Sequence, residues 1–399
     1  MRARIVLALL IVLSSIPAAL AVADASVRRY SDGADLIAHD AMQLEDGGYM
    51  LVGHSIVELA SSVVRNLTLV RLDRDGDMRW QRTYEGYGSS SAESLLQLDD
   101  GGFVVVGTTW ADQGADADAL AMRIDSAGDV VWARAYGTGL NEHCGAVIGD
   151  NGLGYWLVGS SVDPSDVVAP PDAAGYAGFA GRSRPFVVRI DSDGSELWSL
   201  RIEGEANMIA FDAAAASDGI VILCGTLHYP EDGNDIELVG IIEGGGIAWT
   251  ETWEEENTIA YDLVRTANDR YVMCGNRTSD GVDAFVACAD RCGHQLWSMS
   301  FGVTDSVESA EVVAETTSGD LVCAGWRASD LYASGEDILL ARIAPDGTLM
   351  QEQVLPSSAH NLFAAILGQP DGACVIAGSA REPGMPFCMQ LITVPPPST

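Results

Sequence analysis

Short apolar stretches separated by glycine-rich turns follow one another along almost the whole chain. Each stretch is roughly five to eight residues long, rich in β-branched and aromatic residues, and bounded by Gly, Asp, Asn or Ser. These features are typical of β-strands, and no long helical period interrupts them. The pattern therefore predicts an all-β protein.

One motif returns seven times at intervals of about fifty residues. GGYMLVGHS at 47–55 recurs as GGFVVVGTT at 101–109 and, more weakly, in five later copies. After each copy come a variable loop and a second apolar stretch. Most units continue through a turn into a third stretch, which usually contains Trp. A fourth stretch leads into the next copy. Four short antiparallel strands per unit, repeated radially, predict a seven-bladed β-propeller.

The two ends of the chain complement each other. The seventh unit stops after FCMQLITV at 387–394 without a fourth strand, and SVRRY at 26–30 precedes the first unit as a spare strand. We expect this N-terminal strand to close the last blade and to cover its open edge. One propeller then occupies 24–394, followed by a disordered tail at 395–399. The predicted blades span roughly 34–86, 91–138, 142–204, 207–255, 258–303, 307–356, and 360–394 plus 26–31.

Residues 1–23 have the features of a secretory signal peptide. Arg2 and Arg4 precede the apolar run IVLALLIV, and the segment ends on Ala21-Val22-Ala23, a cleavage motif of the A-x-A type. The apolar core is too short for a convincing membrane span. We therefore expect a secreted or periplasmic monomer, cut near Ala23 and without an integral membrane segment.

The chain is strongly acidic. All 22 basic residues are Arg, against 57 Asp and Glu, and the formal net charge is −35. Such a charge repels phosphate backbones, so nucleic acid is not expected as a partner. A solvated acidic surface is the simplest interpretation, and cation capture would need a specific site.

The eight Cys are compatible with disulfides in an exported protein. Cys288 and Cys292 flank one turn and are the one pair whose spacing suggests a bond. Four others lie in apolar runs, as small buried hydrophobic residues do: Cys224, Cys274, Cys323 and Cys374.

The acidic segment RLDRDGDMRW at 71–80 has two interpretations, a calcium loop or a tight hairpin turn. In the equivalent segments the glycine recurs, but the acid does not: Asp73 is replaced by Ile242 and Ala344. Glycine supplies positive φ, whereas an EF-type loop needs several oxygen ligands and an acid well downstream. We therefore predict a turn. The tryptophans that follow it are expected to pack between blades: Trp80, Trp132, Trp198, Trp249 and Trp297.

The motifs D-G-G-[FY]-x-x-x-G and D-x-x-G-x-x-x-W resemble those of secreted bacterial β-propeller repeats. The resemblance covers nearly all of 26–394, and it extends distantly to the tryptophan-docking repeats of quinoprotein-like propellers. It implies the architecture and assigns no activity.

Loop lengths predict which face carries function. Turns after the first and third strands are minimal, while loops after the second strand are long, and binding residues concentrate on such loops. The long loops are expected at 54–66, 108–118, 160–185, 226–235, 276–283, 326–337 and 379–386. Candidate binding residues on this long-loop face are Trp110, Trp326, Tyr229, Tyr332, Arg182 and Arg184.

A second candidate site lies on the innermost strands. Five segments occupy equivalent places there: 38–40, 92–94, 210–212, 260–262 and 310–312. Carboxylates near the axis could hold a hard cation, with calcium as the candidate, and no other cofactor is predicted. The carboxylates are Asp40, Glu93, Asp212, Asp262 and Glu311.

Enzyme signatures are few: the six His show no H-x-x-x-H spacing, and no G-x-S-x-G elbow occurs. The first interpretation is an exported, non-catalytic propeller that binds a protein or glycan through the long-loop face. The alternative is an extracytoplasmic enzyme, a hydrolase, lyase or quinoprotein-like protein, with its site at the mouth of the axial channel. A third is a structural component of the envelope. Fold does not discriminate among these.

Overall fold

The computed structural model describes most of the chain between Ala25 and Pro396. The predicted signal peptide lies outside the described residues, as does the end of the predicted tail. The described ranges are 25–31, 33–59, 62–110, 117–150, 152–167, 181–204, 207–217, 219–227, 234–254, 257–279, 281–303, 305–329 and 335–396. Across these ranges every regular element is a β-strand, and none contains a helix that could span a membrane.

Twenty-eight strands are described, and they form seven antiparallel groups of four, named sheets 1 to 7. Strand β1 (Ser26–Tyr30) belongs to sheet 7. Sheet 1 contains β2 (Asp35–Gln43), β3 (Tyr49–Leu59), β4 (Ser62–Leu72) and β5 (Met78–Tyr84). Sheet 2 contains β6 (Ser89–Gln97), β7 (Phe103–Trp110), β8 (Ala117–Ile124) and β9 (Val130–Tyr136). Sheet 3 contains β10 (Asn141–Gly149), β11 (Tyr155–Val167), β12 (Gly181–Ile190) and β13 (Glu196–Arg201).

The remaining sheets repeat this order. Sheet 4 contains β14 (Asn207–Ala215), β15 (Gly219–Leu227), β16 (Asn234–Ile242) and β17 (Ile247–Trp253). Sheet 5 contains β18 (Thr258–Arg265), β19 (Tyr271–Thr278), β20 (Val282–Ala289) and β21 (Gln295–Phe301). Sheet 6 contains β22 (Val307–Glu315), β23 (Leu321–Ala328), β24 (Asp337–Ile343) and β25 (Leu349–Leu355). Sheet 7 contains β26 (His360–Gly368), β27 (Cys374–Arg381), β28 (Cys388–Val394) and β1. One parallel pair, Val282 with Val307, links sheets 5 and 6.

Hydrophobic clusters hold consecutive sheets together. Within the described ranges there are seven, each formed by two neighbouring sheets. One of them joins sheet 7 to sheet 1 and contains Tyr30, Leu36 and Met389. The second and third strands are for this reason buried on both faces and almost continuously apolar, whereas an outer strand such as β9 is exposed or half-buried along most of its length.

The N-terminal strand completes sheet 7, as expected. Strand β1 pairs antiparallel with β28, from Ser26 opposite Thr393 to Tyr30 opposite Met389. The Tyr30 hydroxyl then donates to the Gly76 carbonyl in sheet 1 at 2.7 Å. The first strand in sequence therefore connects the last sheet to the first.

The acidic segment at 71–80 contains a hairpin turn. Asp73 Oδ1 accepts the N–H groups of Asp75 and Asp77, at 3.0 and 2.8 Å. The Gly76 N–H donates to the Asp73 carbonyl, and Gly76 has a φ of 78°. The carboxylate bonds its own turn, which confirms the prediction of a turn.

Two predictions about local structure are wrong. Much of the predicted loop 54–66 is strand, because β3 and β4 stay paired through Val57 and Val64 almost to their tips. Trp110 and Trp326 likewise lie in strands β7 and β23 and not in loops. The β-branched residues beyond the repeated motif extend the ladder and leave shorter connections.

The suggested disulfide is also absent. Cys288 is buried within β20, whereas Cys292 is exposed on the following turn, and both are free thiols. Burial raises the pKa of the Cys288 thiol to about 11. The strand direction therefore separates the two sulfur atoms despite their short spacing in sequence.

Candidate functional site

Each innermost strand carries a β-bulge at the same place, where the register shifts by one residue. These first strands contact one another around the axis, from β2 through β26 and back to β2. A bulge inserts one extra residue and re-aims its side chain. We call these seven extra residues the axial ring: His39, Glu93, Gly145, Phe211, Tyr261, Glu311 and Ala364.

An imidazole–carboxylate chain forms the part of the ring that belongs to sheets 1 and 2. His39 Nδ1 lies 3.2 Å from Glu93 Oε2, and His39 Nε2 lies 3.0 Å from His54 Nδ1. The Ser91 hydroxyl donates to Glu93 Oε1 at 2.6 Å. His39 and Glu93 are 31% and 28% exposed, so a ligand at the axis can reach both.

His54 is the buried end of this chain. Burial lowers its pKa to about 3, with smaller contributions from His39 and Arg65. His54 is therefore neutral at physiological pH, and the hydrogen bond to His39 fixes one of its ring nitrogens. The neutral imidazole of His54 can thus donate or accept a hydrogen bond in this chain without carrying charge.

Aromatic side chains occupy the ring in sheets 4 and 5. The rings of Phe211 and Tyr261 meet edge to face at 5.8 Å. Asn276 Nδ2 donates to the Tyr261 hydroxyl at 3.0 Å. In sheet 6, Trp326 Nε1 donates to Glu311 Oε1 at 2.9 Å, and burial raises the pKa of Glu311. Aromatic faces and polar groups thus lie side by side.

The five predicted metal-binding carboxylates fall into two sets. Glu93 and Glu311 are axial-ring residues. Asp40, Asp212 and Asp262 follow the bulge, and each joins its own strand to the next sheet.

The bonds made by the three aspartates are equivalent. Asp40 Oδ2 accepts the Leu95 N–H at 3.0 Å, and Asp262 Oδ2 accepts the Val313 N–H at 2.6 Å. Asp212 Oδ2 accepts the Leu263 N–H at 2.8 Å. Their oxygens are thus already used by backbone donors. Within the described residues no group of three or more His, Cys, Asp or Glu has a metal-binding arrangement, and calcium at the axis stays a prediction.

The predicted binding residues are dispersed. Trp110 ends β7, where its ring lies 6.1 Å from that of His143 and 6.0 Å from the Arg65 guanidinium. Arg184 is buried within sheet 3, and its guanidinium donates to the carbonyls of Ser183 and Gly204.

The other candidates give less information. Arg182 is half-buried in β12, and Tyr229 and Tyr332 lie outside the described residues. The structure brings together Trp326 with Glu311, and Glu93 with His39, but not the six binding candidates as one surface.

Sequence reasoning missed His54 and Asn276. Each directly follows the glycine of the repeated motif, as Trp326 does, whereas four other units carry Ser or Thr there. In sheets 3 and 7 this hydroxyl bonds the backbone of the next sheet: Ser160 accepts the Ala210 N–H, and Ser379 accepts the Ala38 N–H. A departure from Ser or Thr at this position was therefore the signal for a ring partner.

Comparisons with known proteins agree on the architecture. No family model and no curated protein matches the chain. Among solved structures, it is similar to a puromycin hydrolase S511A mutant complexed with PGG, at a TM-score of 0.55 and 13% identity; the match covers 90% of this chain and 52% of that one.

Two further structures match over almost their whole length. The Pan2 WD40 domain of Neurospora crassa has a TM-score of 0.50 and 11% identity, with 93% of this chain and 99% of that one covered. The β-propeller domain of the trilobed protease from Pyrococcus furiosus has a TM-score of 0.50 and 9% identity, with 90% and 93% covered. At such identities the likeness shows the fold alone: this chain has a β-propeller fold.

Proposed function

We propose that this protein is an exported, non-catalytic binding scaffold, a closed propeller of seven blades that holds a glycan or protein at the long-loop mouth of its axis. Closure is supported by the pairing of β1 with β28 and by the hydrophobic cluster between sheets 7 and 1. Export rests on the signal-peptide features of 1–23. A monomer fits a ring whose last sheet is completed by its own chain.

The position of the axial ring supports binding at this mouth. The bulges lie in the first half of each innermost strand, for example at His39 in Asp35–Gln43. That end of the strand faces the connections between blades and the loops that follow the second strand. Ligand sites commonly occupy such an axial opening on a rigid scaffold.

The observation that carries the proposal is the pairing of aromatic with polar side chains in the ring. Trp326 beside Glu311, and Tyr261 beside Asn276, offer ring faces together with hydrogen-bonding groups. Sugars present apolar C–H faces and many hydroxyl donors, which suit aromatic rings and carboxylates. The acidic ring disfavours anionic ligands, so we favour a neutral glycan over an acidic polymer.

Glycan binding can be tested with the mature chain on a neutral-glycan array, followed by calorimetry with the strongest ligand. We expect Trp326→Ala to weaken binding at least tenfold, because it removes a ring face and one partner of Glu311. Met350→Ala, at an exposed position on an outer strand, is the matched control and should bind normally. Equal binding by the two variants would refute the proposed site.

The Glu93–His39–His54 chain favours the enzyme alternative specifically. A carboxylate that orients one imidazole against another is an arrangement that can move a proton. The same purified protein should therefore be assayed for release of reducing ends. Turnover that disappears in His39→Ala but persists in Met350→Ala would replace the scaffold by a hydrolase or lyase.

A further inference from the structure

A cleft of about 1030 Å³ lies between sheets 2 and 3, on the face that carries the short turns, and none of the seven axial-ring residues lines it. The ends of the innermost strands β6 and β10 form its sides, together with the turn between β12 and β13. Leu96, Val147 and the indole of Trp132 supply apolar surface. A cleft of this size with apolar walls and a few polar groups is typical of a site for a small ligand.

The charged groups of this cleft are mostly acidic. Four carboxylates and one guanidinium line it: Asp99, Asp100, Asp150, Asp193 and Arg123. Two of the carboxylates, those of Asp100 and Asp150, are paired with guanidinium groups. Those of Asp99 and Asp193 are exposed, and neither forms an ion pair within the described ranges. The cleft therefore has a negative charge that its own side chains do not neutralise, and this charge favours a cationic ligand.

A buried tyrosine gives the cleft a hydrogen-bonding group that the fold does not use. Tyr155 is 6% exposed and lines the cleft, and its hydroxyl has no hydrogen-bond partner among the residues that the structure describes. Burial raises the pKa of Tyr155, the charge of Arg123 lowers it, and the charges of Asp100 and Asp193 raise it. These three groups all line the cleft, so the hydroxyl lies among them. A buried hydroxyl without a partner costs free energy that a hydrogen-bonding ligand recovers.

A smaller cleft occupies the equivalent place between sheets 4 and 5. It measures about 300 Å³, and it is lined by Trp249 and Tyr271, the counterparts of Trp132 and Tyr155. The Tyr271 hydroxyl donates to the Ala215 carbonyl at 3.4 Å. In the smaller cleft the tyrosine is therefore bonded to its own chain.

The two clefts also differ in the charge of one turn. In the larger cleft the residues before the turn glycine are Ser192 and Asp193. In the smaller cleft they are Arg291 and Cys292. The smaller cleft thus contains a guanidinium where the larger one has a serine, and a thiol where the larger one has a carboxylate. The features that favour a cation belong to the larger cleft.

We propose that the cleft between sheets 2 and 3 binds a small organic cation, a primary amine with an aromatic body. Its ammonium group donates hydrogen bonds to the Asp193 carboxylate and to the Tyr155 hydroxyl oxygen. Its aromatic body packs against Trp132 and Leu96. This site is separate from the one proposed for a glycan, because the axial ring lies in the first half of the innermost strands and the cleft lies at their ends.

The site can be tested by calorimetric titration of the mature protein with tryptamine, and with tryptophol and indole-3-propionate as neutral and anionic compounds of similar shape. We expect one tryptamine per chain and much weaker binding of the other two. Asp193→Asn should weaken tryptamine binding about tenfold, because it removes the charged acceptor. Tyr155→Phe should weaken it about fivefold without lowering the melting temperature, because the hydroxyl has no partner in the free protein. Tyr271→Phe, the matched control in the smaller cleft, should bind tryptamine normally.

A charge swap makes the test independent of damage to the fold. Ser192→Arg copies the smaller cleft at an exposed position, so it should lose tryptamine and melt like the wild type. Trp326→Ala should retain tryptamine, which separates this site from the glycan site. If the wild type does not bind tryptamine, or binds all three compounds equally well, the proposal is wrong. It is also wrong if Asp193→Asn and Tyr155→Phe both retain the wild-type affinity.

Discussion

Three aspartates, Asp40, Asp212 and Asp262, connect neighbouring blades near the axis, and their burial there raises the pKa of each carboxyl group. Each carboxylate accepts one N–H from its own strand or turn and one from the next blade; Asp40 accepts those of Ala41 and Leu95. Burial raises the pKa of Asp40 to about 7, although these hydrogen bonds oppose the shift. Burial and the charge of Asp262 also raise the pKa of Asp212. Burial raises the pKa of Asp262.

These shifts predict that stability falls as pH rises. A carboxyl whose pKa is higher in the folded than in the unfolded state favours folding when protonated. The contribution of Asp40 is therefore complete below about pH 4 and is lost as the pH rises through about 7. We expect the wild type to melt at a lower temperature at pH 8 than at pH 5.

The variant Asp40→Asn isolates this effect from the repulsion among the other acids. An amide cannot ionise, so the difference in melting temperature between wild type and variant should change between pH 5 and pH 8. Asp75→Asn, at an exposed turn, is the control and should leave the profile unchanged. Parallel profiles for wild type and Asp40→Asn would contradict the assignment.

Outer strands join neighbouring blades through two kinds of contact. The indole of Trp198 packs on Gly245, where a Cβ would lie 3.3 Å from the ring. The second contact is a hydrogen bond from the end of an outer strand. The Tyr136 hydroxyl, at the end of β9 in sheet 2, donates to the Gly194 carbonyl in sheet 3 at 2.6 Å. The repeated glycine therefore serves twice: its positive φ forms the turn, and its missing side chain admits the indole.

Truncating one of these indoles should cost substantial stability. We expect Trp198→Ala to lower the free energy of unfolding by about 3 kcal/mol, at the low end for aromatic truncation because the ring is half-buried. Leu197→Ala changes the neighbouring side chain, which is 56% exposed, and should cost less than about 0.5 kcal/mol. Denaturant unfolding measures both, and equal losses would mean that the indole does not hold the blades.

At the scale of the whole molecule, β1 supplies both an edge strand of sheet 7 and a contact to sheet 1. Without it, β28 would present unpaired backbone groups, and the hydrophobic cluster between sheets 7 and 1 would lose Tyr30. Five residues at one end of the chain thus take part in the contact between sheets 7 and 1.

Deleting residues 26–30 should lower the melting temperature of the whole protein and broaden the transition, because the last and first blades separate. Tyr30→Phe removes only the bond to the Gly76 carbonyl and should cost about 1 kcal/mol. Val27→Ala, at a position that is 52% exposed, serves as the control. An unchanged melting curve for the deletion, measured by circular dichroism, would exclude closure by β1.

Much of the fold could be predicted, and less of the site. The turn at Gly76 and the pairing of 26–30 with the last unit followed from local patterns. The axial carboxylates were found as a group, but the bulge separates Glu93, which is partly exposed at the axis, from Asp40, which bonds the backbone. A shift of one residue in a strand exchanges its faces, and composition does not reveal where that shift occurs.

The sequence by itself determined the units of this protein: seven copies of a four-strand pattern, each with its own turn glycine, and a spare strand for the last. These features depend on residues a few positions apart, so local chemistry encodes them. Only the tertiary structure decided that His39 meets Glu93 and that the Tyr30 hydroxyl meets the Gly76 carbonyl. Those partners lie on different blades, and the packing of separate sheets around an axis brings them together.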